Sequence, residues 1–382
     1  AAEGEGEASQ PGRILLQLRP RFSYIDQTNK PKLAEAYNMR MLLGYRTAPT
    51  NGLQFTGQLV NVSWLHPLHA NNRPGNSASP YPLVGDPDTT DLNLLFADYT
   101  GLPDTRVRIG RQAIKLDNER FVGDADVRQM PQVFDAVSAR NTSFADTELY
   151  AAYAWQVRTY FGDSFRINTT LLNARKDFEA GMSVGAYGYF SDQPIIHQLT
   201  RMRDNSNSIV GARVEGRHYS NDKLSWYYTA ERARQRPYAD GDSRIRANYH
   251  RLAFGPTWGV FSAQVGEERL GSNSGLYAFQ MPLSYNTFQG WAYEFFNTPR
   301  QGIRDRSVSL FAALGPLNLW LKFHRFDADY GPLEYGEERD FAVSYRIRES
   351  LSVRGVFASF RGNAVFFRPS AERYYMTLQY DY

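Results

Sequence analysis

The sequence predicts an all-β fold, a transmembrane antiparallel β-barrel of the bacterial outer membrane with about 18 strands, short periplasmic turns and long extracellular loops. Three observations predict it. First, Glu372 to Tyr382 alternates with period two up to the final residue. Tyr374, Met376, Leu378, Tyr380 and Tyr382 form an apolar series, and Arg373, Tyr375, Thr377, Gln379 and Asp381 a mostly polar one. Such alternation marks a strand with two unlike faces, and the stretch is as long as the roughly 9 to 11 residues a tilted strand needs to cross a bilayer. Second, the connections between such stretches alternate short and long, as they do when turns lie on the periplasmic side and loops outside. A soluble sandwich has no reason to keep that parity. Third, 25 Tyr, 24 Phe and 6 Trp make 14% of the chain, a load that suits the two aromatic girdles of a membrane barrel.

Composition agrees with this and excludes other classes. A chain of 382 residues could make two or three ordinary domains, but large barrels run as one domain at this size. There is no Cys, hence no disulfide framework and no thiolate metal site. No apolar run reaches the ~18 residues of a transmembrane helix. The mean hydropathy of −0.51 fits a barrel in which every second residue faces water. Residues 1–12 read as a polar N-terminal tail, beginning Ala1-Ala2-Glu3 as a mature chain does after loss of a secretory signal. Residues 13–382 read as a single barrel domain.

Taken in order, Arg13 to Ile25 sets Ile14, Leu16, Leu18, Phe22 and Tyr24 against Gln17, Arg19, Arg21 and Ser23. Tyr37 to Tyr45 repeats the pattern, and the following Asn51-Gly52 is a hairpin signal. Leu53 to Trp64, Asn93 to Tyr99, Thr105 to Ile109, Val133 to Arg140 and Leu149 to Val157 continue it. Further short turns are expected at Arg175 to Asp177, Ser220 to Lys223, Gly255 to Thr257, Gly315 to Asn318 and Arg348 to Ser350. Long links are expected at Ser191 to Asn207, Gln235 to Arg244, Glu268 to Arg304, Ala328 to Arg339 and Arg361 to Ala371. Counting segments gives about eighteen strands, or sixteen if weak ones such as Arg166 to Asn173 are not separate; a closed antiparallel barrel needs an even number. Closure also requires the first and last strands to pair, because an unpaired amide in hydrocarbon costs several kcal/mol.

The charge pattern indicates what fills the lumen. Net charge is only +3, but of 43 basic residues just six are Lys, leaving 37 Arg. Arg19, Arg21, Arg40, Arg46, Arg108, Arg213, Arg217, Arg346, Arg354 and Arg373 all take the polar parity of their strands. In a barrel that face is the pore, so they are expected to line it, with Glu215 and Asp381 as partners. A low-dielectric wall carrying one sign of charge raises the local concentration of the opposite ion. Arg111, Arg232, Arg234 and Arg306 take the apolar parity near strand ends and are expected at the rim or at bulges. The link 115–130 is too charged and too long for a turn. It is expected to fold inward as a constriction, with Asp117, Asn118, Arg120, Phe121 and Arg128 at the narrowing. The link 268–304, with Tyr277, Phe279, Tyr285, Phe288, Trp291 and Phe295, is a long aromatic loop suited either to stacking on sugar rings or to covering the mouth.

Gly110-Arg111-Gln112, Leu116-Asp117-Asn118, Arg120-Phe121-Val122-Gly123, Arg128-Gln129 and Phe134-Asp135 resemble the motif run of the alginate export family of outer-membrane porins. Leu18-Arg19-Pro20-Arg21, Thr100 to Thr105, Gln289-Gly290-Trp291-Ala292 and Phe326-Asp327-Ala328-Asp329 are similar to further segments of that family. The resemblance implies a monomeric barrel with an arginine-rich pore. This chain is a shorter member, so the resemblance implies no particular cargo.

Enzymatic chemistry finds no constellation here. His66, His69, His197, His218, His250 and His324 show no nucleophile elbow and no His-Glu-x-x-His spacing. Asp327 and Asp329, like Asp86, Asp88 and Asp91, have an oxygen-rich spacing, yet neither set completes a calcium loop. They stand as weak calcium candidates, and no cofactor is expected. The reading is an outer-membrane channel for passive diffusion of anionic or acidic solutes, organic acids or uronate oligosaccharides, through an arginine-lined lumen. The alternative is a plugged barrel that acts as a receptor for a ligand or protein without free conduction. Expected partners are outer-membrane lipid and small acidic solutes, with no nucleic acid. A monomer is expected, and a complex with a periplasmic or surface protein is compatible.

Overall fold

The alternation becomes eighteen long strands in one continuous antiparallel sheet. The computed structural model describes residues 11–65, 69–72, 76, 78–179, 181–193, 204–284, 287–363 and 369–382. The polar tail read over residues 1–12 lies outside them except for Pro11 and Gly12, as do Tyr285 of the aromatic loop, His66 and His197. In chain order the strands are β1 (Arg13–Gln27), β2 (Ala34–Arg46), β3 (Leu53–Trp64), β4 (Thr89–Leu102), β5 (Thr105–Gln112), β6 (Val133–Asn141) and β7 (Thr147–Arg158). Then come β8 (Ser164–Phe178), β9 (Met182–Asp192), β10 (Asn207–Tyr219), β11 (Leu224–Pro237), β12 (Ala247–Trp258) and β13 (Phe261–Leu270). The two-residue strands β14 (Ser272–Asn273) and β15 (Tyr277–Ala278) pair only with each other. The wall resumes with β16 (Ile303–Leu314), β17 (Leu317–Asp327), β18 (Glu334–Arg348), β19 (Leu351–Gly362) and β20 (Ala371–Asp381).

Each wall strand pairs with its neighbours in sequence, and β1 closes the ring on β20, with Gln17 opposite Asp381 and Gln27 opposite Ala371. Closure leaves no strand edge in hydrocarbon, the condition any sheet must meet to span a bilayer. One end carries the short connections, such as 47–52, 103–104, 259–260 and 315–316; the other carries 65–88, 113–132, 193–206 and 271–302. The end with long links is the extracellular one. At the Asn51-Gly52 turn both residues sit at positive φ, 52° and 79°, the backbone a tight primed hairpin requires.

Several boundaries differ from the sequence reading. Arg166 to Asn173 lies within β8, so the count is eighteen and not sixteen. Arg175 to Asp177 also belongs to β8, and the chain reverses between Phe178 and Met182. Gly255 to Thr257, expected as a short turn, lies within β12. A Cβ at Gly255 would stand 1.9 Å from the Ala263 carbonyl of the next strand, so the glycine serves close strand approach rather than a turn. The aromatic link is 271–302, since Glu268 and Arg304 remain in β13 and β16, and the link expected to reach Arg339 ends at Leu333.

The two faces of the wall follow the parity. On β20, Tyr374, Met376 and Leu378 are exposed outward, where lipid takes the place of water, while Ala371 and Arg373 are buried inward. The packed core lies inside the barrel, where inward apolar side chains meet the long links. Phe121 of link 113–132 touches Tyr187, Tyr249 and Phe279, and Phe295 of link 271–302 packs on Phe326, Tyr335 and Phe360.

Candidate functional site

Link 113–132 reaches inward side chains on opposite walls. Towards β1 and β2, the Arg19 Nε donates to Gln129 Oε1 at 3.0 Å, and its Nη1 to the Asp126 carbonyl at 2.8 Å. Arg40 Nη1 donates to the Asp126 carboxylate at 2.8 Å, and Gln129 Nε2 donates to Asn38 Oδ1 at 2.7 Å. Towards β8–β13, Asp117 accepts from Arg213 at 3.1 Å and from Asn173 at 2.7 Å. Arg120 donates through Nε to Glu268 at 2.6 Å and lies over the Phe288 ring at 4.6 Å. The Asn118 side chain accepts the Arg120 backbone N–H. Arg128 stacks on Tyr293 at 3.9 Å, which joins this link to link 271–302. Sequence alone favoured Glu215 and Asp381 as arginine partners. Glu215 does pair with Arg213 at 3.4 Å, but Asp381 accepts from Gln17 and Gln379 instead.

The electrostatics of this crossing can be read at two points. Burial alone would raise the Asp126 carboxyl, but the charges of Arg40 and Arg19 outweigh it and hold the group below the usual carboxylate range. Half of that side chain is open, 53%, so it also faces the remaining space. Burial disfavours the Arg120 cation, and Glu268 beside it more than compensates, so its pKa is raised.

Link 271–302 is set against the wall by Gly290. Its φ is +77°, and a Cβ there would lie 2.3 Å from the Glu338 carboxylate. Only glycine lets the following residues approach, where Asp340 and Glu338 accept the N–H groups of Trp291 at 3.2 Å and Ala292 at 2.6 Å. Trp291 thereby stands between two cavities that both include it and Thr287.

The first cavity, about 490 Å³, is bounded by inward residues of β1 and β17–β20. Arg19, Arg21, Arg346 and Arg354 line it, with Asp126 as the one carboxylate among its lining residues. Arg21 and Arg354 both stand opposite Thr377 in the register, so they flank one position of β20. The second cavity, about 390 Å³, lies against β12–β17 and is lined by Glu119, Glu268 and Asp305 with Arg251 and Lys322. The described lumen thus has a basic side and a mixed, more acidic side, divided by an indole.

The remaining arginines named from sequence have local partners. Arg108 makes a two-pronged pair with Asp98 at 2.7 and 2.8 Å; Arg46 donates to Thr56, Arg217 to Ser225 and Thr257, and Arg373 to Glu294. Outside the pore set, Arg111 is held two-pronged by Asp135. Asp327 pairs with Arg306 and Asp329 with Arg269, so arginines engage both calcium candidates. No group of three or more metal-capable side chains occurs among the described residues. Sequence reading missed Tyr293, Arg251 and Lys322 as lumen residues. For Lys322 and Arg251 the signal was present, since both take the polar parity of their strands; for Tyr293 it was not, because links have no period.

A closed eighteen-stranded barrel with long links folded over inward arginines defines an integral outer-membrane channel of the porin class. Residues 54–276 match the family model described as Alginate export, and the chain belongs to that family. Solved structures share the fold at low identity. OccK9 (OpdG) of Pseudomonas aeruginosa is 15% identical, with TM-score 0.74 over 97% of this chain and 98% of that one. OccAB2 of Acinetobacter baumannii is 14% identical, with TM-score 0.73 over 97% and 98%. OpdK of Pseudomonas aeruginosa, solved with vanillate, is 13% identical, with TM-score 0.71 over 97% and 98%. No curated protein matches the chain.

Proposed function

We propose that the channel passes small acidic solutes by diffusion, organic acids or short uronates, with link 113–132 as its constriction. The observation that carries this reading is the cavity where four arginines face one carboxylate beside Trp291 and Tyr293. Arginine offers a planar fork to a carboxylate and keeps its charge in a confined space. Arg354 lies over the Trp320 ring at 5.1 Å and near Trp291 at 5.8 Å, so cation and aromatic surfaces are adjacent. A solute with a carboxylate and a flat or ring-shaped body meets both. Vanillate in the OpdK structure is a solute of that chemistry, which supports the class and not the identity.

The test is reversal potential in a planar bilayer under a salt gradient, comparing chloride, acetate and galacturonate. An open pore with anion preference is expected, and R21Q/R354Q should reduce that preference. Cation selectivity would overturn the reading. One observation favours the plugged receptor instead: the two links leave cavities of a few hundred Å³ on either side of Trp291. A pore silent until link 113–132 is shortened would decide for the receptor.

A further inference from the structure

The channel reading leaves the outward arginines unexplained. Along β11, Arg232, Arg234 and Arg236 are exposed on the outer parity, while Glu231, Ala233 and Gln235 are buried on the inner one. His250 of β12 and outward arginines of β13, β16 and β17 follow, all at the extracellular ends. The register places them side by side: Arg232 opposite His250, His250 opposite Arg269, and Arg269 opposite Arg304. Arg269 and Arg304 are like charges directly opposite in an antiparallel pair and repel, and this is the face turned to lipid.

Carboxylates offset only part of the row. Glu267 lies 3.4 Å from His250, Asp329 pairs with Arg269, and Asp327 with Arg306. Among the described residues no carboxylate pairs with Arg232, Arg234 or Arg304, and the Arg304 Nε is buried without a partner. The apolar band beneath is also short here. At about 3.3 Å per residue the outward apolar series covers roughly 26 Å on β20, from Tyr374 to Tyr382, but only about 13 Å on β13, from Phe261 to Val265. Cations on this sector therefore sit lower against the bilayer, where an unpaired charge is disfavoured more the deeper it lies.

Two grooves run down from the row. One, about 690 Å³, is headed by Arg232, Arg246, His250 and Arg269 and floored by Ala212, Val214, Ala230 and Leu252. The other, about 820 Å³, shares Leu252 and passes over Phe254, Val265, Val308 and Phe323 below Arg306, Arg325 and Arg339, with Glu267 and Glu337 among them. Cations at the head and apolar residues along the floor complement an anionic headgroup with acyl chains.

We propose that the outer face of β10–β17 binds a phosphate-bearing, multi-chain lipid of the outer leaflet, its phosphates on Arg232 and Arg304 and its chains in the two grooves. The phosphates supply the counter-charge that the row lacks. The inference is independent of what crosses the lumen. Its test is native mass spectrometry of the detergent-purified protein with diphosphoryl lipid A, dephosphorylated lipid A and phosphatidylethanolamine. Retention of the diphosphoryl form is expected, and R232Q/R304Q should weaken it about twenty-five-fold, roughly fivefold per arginine. A230W, which fills one groove and leaves the charges in place, should weaken it too. Unchanged single-channel conductance in both variants would certify that the barrel is folded. Equal retention of the dephosphorylated lipid, or wild-type binding by both variants, would overturn the proposal. Displacement by millimolar inorganic phosphate would assign the row to free phosphate, and a lipid-independent dimer on this face would assign it to a second copy; either result overturns it.

Discussion

The inner and outer faces of the barrel wall both carry arginine, and they neutralise it differently. Inside, Arg19 and Arg40 converge on Asp126 of link 113–132, Arg213 on Asp117 of the same link, and Arg108 on Asp98 of the adjacent strand. Outside, Arg111 has Asp135, but Arg232, Arg234 and Arg304 have no carboxylate among the described residues. The inner face draws many of its counter-charges from the chain itself, and three of its arginines without a carboxylate pair among the described residues, Arg21, Arg346 and Arg354, gather around one cavity. The outer face meets an anionic medium and can leave the counter-charge to it. Parity decides which environment an arginine enters, and the environment decides whether the chain must supply a partner.

The largest way to break this comparison is to remove the inner counter-charges together with their carrier. Deleting residues 117–126 should raise single-channel conductance several-fold, and an unchanged conductance would show that link 113–132 does not limit flow. Next in size is F121A. Phe121 is 4% exposed among three aromatic rings, and losing such a side chain costs about 3 to 5 kcal/mol. Amide exchange over 113–132 should then accelerate by roughly two to four orders of magnitude as the link opens locally, while exchange in the wall strands stays as it was.

Smaller effects separate charge from structure. R21Q/R354Q should lower chloride-over-potassium preference about fivefold per arginine for an ion at contact in a water-filled pore, and less with distance. The outer pair R232Q/R304Q should leave that preference alone. Acid offers a further contrast. The carboxyl of Asp126 lies lower in the folded protein than its ordinary value of about 3.9, so its docking contribution is complete above that value and fades as pH falls through the folded one. Conductance should therefore hold from neutral pH to about pH 4 and rise only below it, whereas D126N should show the higher level at neutral pH. The smallest effect is expected for K115Q: Lys115 pairs with Asp124 at 2.9 Å but is half exposed, 48%, and exposed pairs contribute about 0 to 1 kcal/mol, so the unfolding midpoint in urea should barely move.

The wall was largely legible in the sequence because its two determinants are local. Period-two alternation assigns each residue a face, and connection length assigns each end a side, so the eighteen strands could be read directly. Errors arose where a local cue had a second use. Gly255-Pro256 looked like a turn, but Gly255 is there for strand approach. The partners were less legible still: Arg19 and Asp126 are 107 residues apart, and no periodicity relates a wall position to a link position.

What the sequence by itself determined is the closed barrel, its orientation and the face each side chain takes, since these follow from steric alternation along a strand and from the need to pair every backbone amide in lipid. Only the tertiary structure decided which arginines stay open, because that depends on where two aperiodic links come to rest. Gly290 seats Trp291 on Glu338 and Asp340, and Asp126 settles between Arg19 and Arg40. Those contacts divide a uniformly arginine-rich interior into a basic cavity and a mixed one, by packing that no single stretch of chain encodes.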